Sequence, residues 1–113
     1  MNHDELSSLA EELRLATIRC VPVDPPSERF PDMTLDDAYE VQLLQVGERQ
    51  RAGANLRGHK VGLTSSVMQR QLGVSVPDYG RLLNDMFWLS GESIARDRFL
   101  QPRIEAEIAV IRS

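Results

Sequence analysis

Leu56-Arg57-Gly58-His59-Lys60-Val61-Gly62-Leu63 is the stretch on which the reading of this chain turns. Up to Gly53 the residues follow helical spacing. Here the pattern changes to a short run with glycines on both sides of a lysine. Glycine inside a strand marks a close backbone approach or open space beside a neighbouring side chain. The stretch predicts a strand over 56–63, and the chain around it divides into a helical region at 1–53 and a sheet-forming region at 54–113.

Upstream, Asn2 and Glu5 have the spacing of a capping box. Leu6, Leu9, Ala10, Leu13, Ala16, Thr17 and Cys20 then recur in steps of three and four, one face of an amphipathic helix that Pro22 ends. Pro22, Pro25, Pro26 and Pro31 lie within 21–33, which reads as an extended linker. Thr34 opens a second helix, with Asp36 and Asp37 in its first turn where the helix dipole favours acids. Its apolar face is Leu35, Ala38, Tyr39, Leu43 and Val46, widened by Val41 and Leu44. Gly53 is placed to terminate it.

Downstream, 65–72 suits a short helix stopped by Gly73, and Pro77-Asp78-Tyr79-Gly80 is a turn signal. Residues 86–89 and 93–95 are weak strand candidates. Arg103 to Arg112 alternates: Ile104, Ala106, Ile108 and Val110 on one side, Glu105, Glu107, Ala109 and Ile111 on the other. The chain stops directly after this best strand, so the second half reads as the opening of a sheet whose other strands are not here.

Composition narrows the function classes. In 113 residues, 13 Lys and Arg oppose 17 Asp and Glu, for a net charge of −4. That acidity argues against phosphate backbones or anionic lipid as partners. Apolar runs reach only four residues, far short of the roughly 20 a spanning helix needs. The first residues lack a basic and apolar leader pattern, so no secretory signal is expected. Cys20 is the only cysteine, which excludes an internal disulfide and any CxxC motif; it reads as a small core residue in a reducing cytoplasm.

Several motifs fail on inspection. Gly53-Ala-Asn-Leu-Arg-Gly58-His59-Lys60 glances at a phosphate loop, but His59 intervenes before the lysine and helix precedes it. His3 and His59 have no partners at zinc-ligand spacing. Ser65 and Ser66 have no GxSxG context. Glu105 and Glu107 carry more. Two residues apart on a strand, they share a face and present oxygen-only donors suited to Mg²⁺ or Mn²⁺. The alternative is a solvated strand face. Against it, the same face continues with apolar Ala109 and Ile111, and buried paired acids without a counter-ion are costly. Lys60, between its glycines, suits a carboxylate or a proton relay; an exposed strand lysine is the alternative.

Gly58-His-Lys60-Val-Gly62-Leu-Thr-Ser65, then Met68-Gln-x-x-Leu-Gly73-Val and Pro77-Asp78-Tyr-Gly80, resembles the 2-keto-4-pentenoate hydratases of the fumarylacetoacetate hydrolase superfamily. Gln101-Pro102-Arg103-Ile-Glu105-Ala-Glu107 is similar to that family's metal-binding strand. The resemblance implies an α+β fold, a helical N-terminal region followed by the first strands of a mixed β-roll, truncated here. It implies Mg²⁺ or Mn²⁺ held by three acids, Glu105 and Glu107 at the first two positions and the third beyond residue 113.

It further implies a lyase of aromatic-compound catabolism, acting on a small 2-oxo or 2-hydroxy-dienoic acid. Water adds to 2-hydroxypenta-2,4-dienoate or a longer relative, with the metal as Lewis acid. Lys60 faces the substrate carboxylate or relays a proton, and Asp78 orients water or acts as acid/base. The full-length protein is expected to be a homo-oligomer. Two competitors stand: the sister 4-oxalocrotonate decarboxylase, and a non-catalytic remnant that folds or pairs with a partner.

Overall fold

The computed structural model describes residues 1–112. Helix α1 spans His3–Arg19 and begins at the anticipated capping box. The Glu5 N–H donates to Asn2 Oδ1 and the Asn2 N–H to Glu5 Oε2, each at 2.9 Å, so two otherwise orphan donors are satisfied reciprocally. The second long helix, α3, spans Leu35–Arg51 with the same device. Thr34 and Asp37 exchange bonds of 2.9 and 3.1 Å. It ends through Ala52 and Gly53, whose φ of +107° only glycine adopts freely.

The segment read as a plain linker holds a single helical turn, α2 at Pro26–Arg29. Pro26 supplies the fixed φ and missing N–H that suit a first helical position. Phe30 and Met33 beside it pack onto the core that α1 and α3 form, which is Leu6, Leu9, Ala10 and Val41. On α3 the buried residues are Val41 and Val46, while Leu35 and Leu43 are exposed. The wide apolar arc of α3 therefore faces α1 through its Val41 edge and leaves the other edge to water. Cys20 is not core: it is half-buried at the end of α1, in left-handed geometry with φ of 52°.

Strand β1 is Leu56–Gly62. Its partner is β2, Asp78–Leu83, in an antiparallel two-stranded sheet. The Pro77–Gly80 turn signal is thus the entrance of a strand, not a turn. Proline fits there because it directly precedes the first ladder residue and costs the sheet no donor. Between the strands lies α4, Ser66–Gln71, capped by Ser65 and followed by Gly73 at φ +69°. The open end of the hairpin is closed by Asn55 and Asn84. The Asn84 N–H donates to the Asn55 carbonyl and the Asn55 N–H to Asn84 Oδ1, both at 2.8 Å.

Residues 86–89 and 93–95 form no strand, and neither does 103–112. The last is the largest departure from the sequence reading. Alternation makes a strand only where a neighbouring strand takes its main-chain groups, and among the described residues none lies alongside. Ile104, Ile108 and Ile111 are accordingly 95% or more exposed. The observed architecture is α+β: two long helices that run the same way, Met1 beside Asp37 at one end and Arg14 beside Glu48 further along, with a small core between them, a hairpin resting against α3, and an extended C-terminal stretch. No helix is long and apolar enough to cross a membrane among the described residues.

Candidate functional site

Register decides which side chains share a face of the hairpin. Gly58 opposes Leu82, Lys60 opposes Gly80 and Gly62 opposes Asp78; His59 opposes Arg81 and Val61 opposes Tyr79. Opposed residues project to the same side and alternate residues to opposite sides. Tyr79 and Arg81 meet α3, the tyrosine by stacking on Tyr39 and the arginine by donating to Gln42 Oε1 at 3.1 Å. Lys60 and Asp78 therefore stand on the other face, two rungs apart on neighbouring strands.

Glycine makes that face usable. Opposite Lys60 is Gly80, with nothing within 4 Å of where its Cβ would be. Opposite Asp78 is Gly62, and a Cβ built there would overlap the Asp78 carboxylate. The side chain of Asp78 thus lies across the vacancy that Gly62 leaves.

The C-terminal stretch returns to this face. Lys60 Nζ lies 3.5 Å from Glu107 Oε1, with the two side chains 51% and 57% exposed. An ion pair so open to water contributes at most about 1 kcal/mol, so it joins the segment to the hairpin loosely. Lys60, Asp78 and Glu107 are thereby assembled on one side of the sheet, from β1, β2 and the tail. Glu105 accompanies Glu107 on the same stretch but not on a paired strand. A separate open cavity of about 500 Å³ is lined by Arg96, Phe99, Leu100, Gln101, Pro102 and Arg103, and includes none of these three.

The carboxylates suit a hard divalent cation in kind, since both offer oxygen alone. In number they fall short: among the described residues no three His, Cys, Asp or Glu gather into a group able to hold a metal ion. The nearest cation to Glu107 is the Lys60 ammonium. Sequence reading missed the residues behind the hairpin: Tyr39, Gln42, Tyr79 and Arg81. Tyr39 was counted only as part of an apolar face, and the one available signal, its three-residue spacing from Gln42 on α3, is too common to single out.

A glycine-flanked lysine, an aspartate and a returning acidic segment thus share one face of an α+β scaffold. No family model matches the chain, but individual proteins do. It is 46% identical over 94 residues to a 2-oxo-hept-4-ene-1,7-dioate hydratase of Escherichia coli, covering 83% of this chain and 33% of the relative. It is 39% identical over 111 residues to a 2-keto-4-pentenoate hydratase of Paraburkholderia xenovorans, covering 98% of this chain and 41% of the relative. Among solved structures, 4-oxalocrotonate decarboxylase from Pseudomonas putida G7, complexed with magnesium and adipate, superposes with a TM-score of 0.72. That match has 32% identity and covers 75% of this chain and 32% of the other. By sequence the chain is similar to the N-terminal part of 2-keto-4-pentenoate hydratases, and by fold to part of a 4-oxalocrotonate decarboxylase. It spans between about a third and half of the length of the curated relatives it matches.

Proposed function

We propose that this chain supplies the Lys60–Asp78–Glu107 part of a metal-dependent hydratase site, adding water to 2-hydroxypenta-2,4-dienoate-type acids in aromatic-compound catabolism. The observation that carries the reading is the convergence of Lys60 and Asp78 on one hairpin face with Glu107 beside Lys60. These residues lie in a chain 39% identical to such a hydratase over nearly its whole length. The corresponding fold is the beginning of a fumarylacetoacetate-hydrolase-like roll, with 1–53 as a helical N-terminal region and 54–113 as the start of the catalytic domain.

Glu105 and Glu107 would hold Mg²⁺ or Mn²⁺, which when bound supplies Lewis-acid polarisation of the substrate's 2-oxygen. The remaining work falls to the protein's own groups. Lys60 is a compact, three-donor cation on a flexible stem, suited to hold the substrate carboxylate. Its present partner is itself a carboxylate, so substrate replaces Glu107 rather than water. Asp78, fixed above Gly62, accepts a proton from the water that adds at carbon 4. Gly62 leaves main chain rather than a side chain beneath the Asp78 carboxylate.

The test is a chimera in which residues 1–113 replace the matching N-terminal segment of the Paraburkholderia hydratase. It should consume the dienol with added Mn²⁺. Lys60→Ala and Asp78→Asn should each lower kcat/KM by about 10² to 10⁴, and Glu107→Ala should abolish metal-dependent turnover. A folded but inactive chimera, or activity indifferent to these substitutions, would overturn the assignment.

The 32% identity to a solved decarboxylase favours a second reading, decarboxylation at the same face. Release of CO₂ from 2-oxo-3-hexenedioate by the chimera, without hydration of the dienol, would establish it instead.

A further inference from the structure

Tyr79 is where the helical half of the molecule grips the hairpin. Its N–H donates to the Tyr39 hydroxyl at 3.3 Å, and its carbonyl accepts from Gln42 Nε2 at 3.4 Å. The Tyr39 and Tyr79 rings stack with centroids 4.5 Å apart and planes inclined by 18°. Gln42 Oε1 accepts in turn from Arg81 Nη1 at 3.1 Å. Tyr39 and Gln42 are three residues apart on α3 and so share one side of it.

Alternate residues of an antiparallel pair turn their N–H and C=O away from the partner strand. On an edge strand those groups meet water or invite another strand. At Tyr79 they meet two helix side chains instead, which take the place of a third strand for one rung. Tyr79 directly follows Asp78, whose side chain points to the opposite face. Fixing the main chain of one therefore fixes the direction in which the other leaves it.

We propose that Tyr39 and Gln42 are positioning residues, which set the direction of the Asp78 carboxylate by holding both main-chain polar groups of Tyr79. The catalytic consequence rests on the proposed role of Asp78; the clamp does not. Through it the helical region acts on the candidate site without touching it.

Two conservative substitutions isolate the clamp from packing. Tyr39→Phe keeps the stacked ring and removes the acceptor. Gln42→Glu keeps an acceptor for Arg81 and removes the donor to Tyr79. In the isotope-labelled 113-residue chain, Tyr39→Phe should speed amide exchange at Tyr79 by about fivefold, the loss of one hydrogen bond, and Gln42→Glu should shift the Tyr79 carbonyl carbon resonance. Either should also shift the Asp78 carboxyl carbon resonance, with exchange in α1 unchanged as the control for folding. Unaltered exchange at Tyr79 in Tyr39→Phe, with an unmoved Tyr79 carbonyl signal in Gln42→Glu, overturns the proposal. So does faster exchange with an unmoved Asp78 signal, which would make the contact packing alone. A separate arm adds Mg²⁺ and 2-oxopentanoate to the chimera with the Paraburkholderia hydratase, labelled in the same way. If the Asp78 and Lys60 resonances ignore them, the substrate-site reading fails while the clamp stands on its own result.

Discussion

A Cβ added at Gly62 would overlap the Asp78 carboxylate, whereas one added at Gly58 or Gly80 would meet nothing within 4 Å. The three glycines look alike in the sequence, where Gly58 and Gly62 read as openings around Lys60. Only the register shows that Gly62 makes room for Asp78 across the ladder. Gly62→Ala in the chimera should therefore displace that carboxylate and reduce kcat by about tenfold or more, since small misplacements of a reacting group are costly. Gly80→Ala should leave turnover nearly unchanged. Equal losses from both in steady-state assays would show that general strand disruption, not the Asp78 contact, is responsible.

Asp37 offers a second residue-scale test. The Thr34 N–H, and then the Thr34 hydroxyl, hold its carboxyl below the ordinary value. A folded-state value below the unfolded one adds stability at higher pH, and that increment is lost as pH falls through the lowered value. Thermal unfolding followed from neutral pH downward should show the α3 cap failing below the usual aspartate value of about 3.9. Asp37→Asn should flatten that acid limb. An identical pH profile for the variant would remove Asp37 as its source.

At the scale of elements, stability is concentrated where α1 crosses α3. Leu9 and Val41 are each 2% exposed, and no other residues of these two helices are so completely covered. Leu9→Ala should cost about 2–4 kcal/mol, read as a shift of the urea midpoint. Leu35→Ala and Leu43→Ala, both on exposed positions, should cost well under about 1 kcal/mol. The reverse ranking would mean that α3 is turned the other way. Both helices and both caps were legible beforehand because capping chemistry and helical period are local. Which edge of the α3 arc is buried was not, because that depends on where α1 lies. Asp78–Leu83 escaped notice for a related reason: Pro77-Asp78-Tyr79-Gly80 carries turn residues, and only a partner strand makes a ladder of them.

At the scale of the whole molecule, the described residues are more open than a chain of this size usually is. The radius of gyration is 15.6 Å, against about 13 Å for a compact domain of this length. The accessible surface is 9331 Å², against roughly 6300 Å² for a folded monomer of this mass. Much of the excess is apolar and lies in 86–111, including Phe87, Leu89, Ile104, Ile108 and Ile111. The purified 113-residue polypeptide should therefore associate as its concentration rises, as exposed apolar stretches and bare strand edges do. Ile104→Lys combined with Ile108→Lys should weaken that association in sedimentation. A monomer at all concentrations would show that the stretch is harmless in solution. The same polypeptide alone should show little turnover of the dienol, because two carboxylates leave a hard cation short of ligands and open solvent weakens every charge at the site.

Helices α1, α3 and α4, the caps of α1 and α3, a strand over 56–63 and the identity of Lys60, Asp78, Glu105 and Glu107 as candidates came from the sequence alone. Each rests on spacing within a few residues or on motifs read in order along the chain. Tertiary structure decided the rest: that β2 is the partner of β1, that Lys60 and Asp78 share a face, that Gly62 makes room for Asp78, and that Tyr39 and Gln42 hold the main chain of Tyr79 from behind. It also decided that Arg103–Arg112, the most strand-like run in the sequence, forms no strand among the described residues. Periodicity prepares a segment to pair, but the hydrogen bonds that make it a strand belong to a neighbour, and no local pattern can supply one.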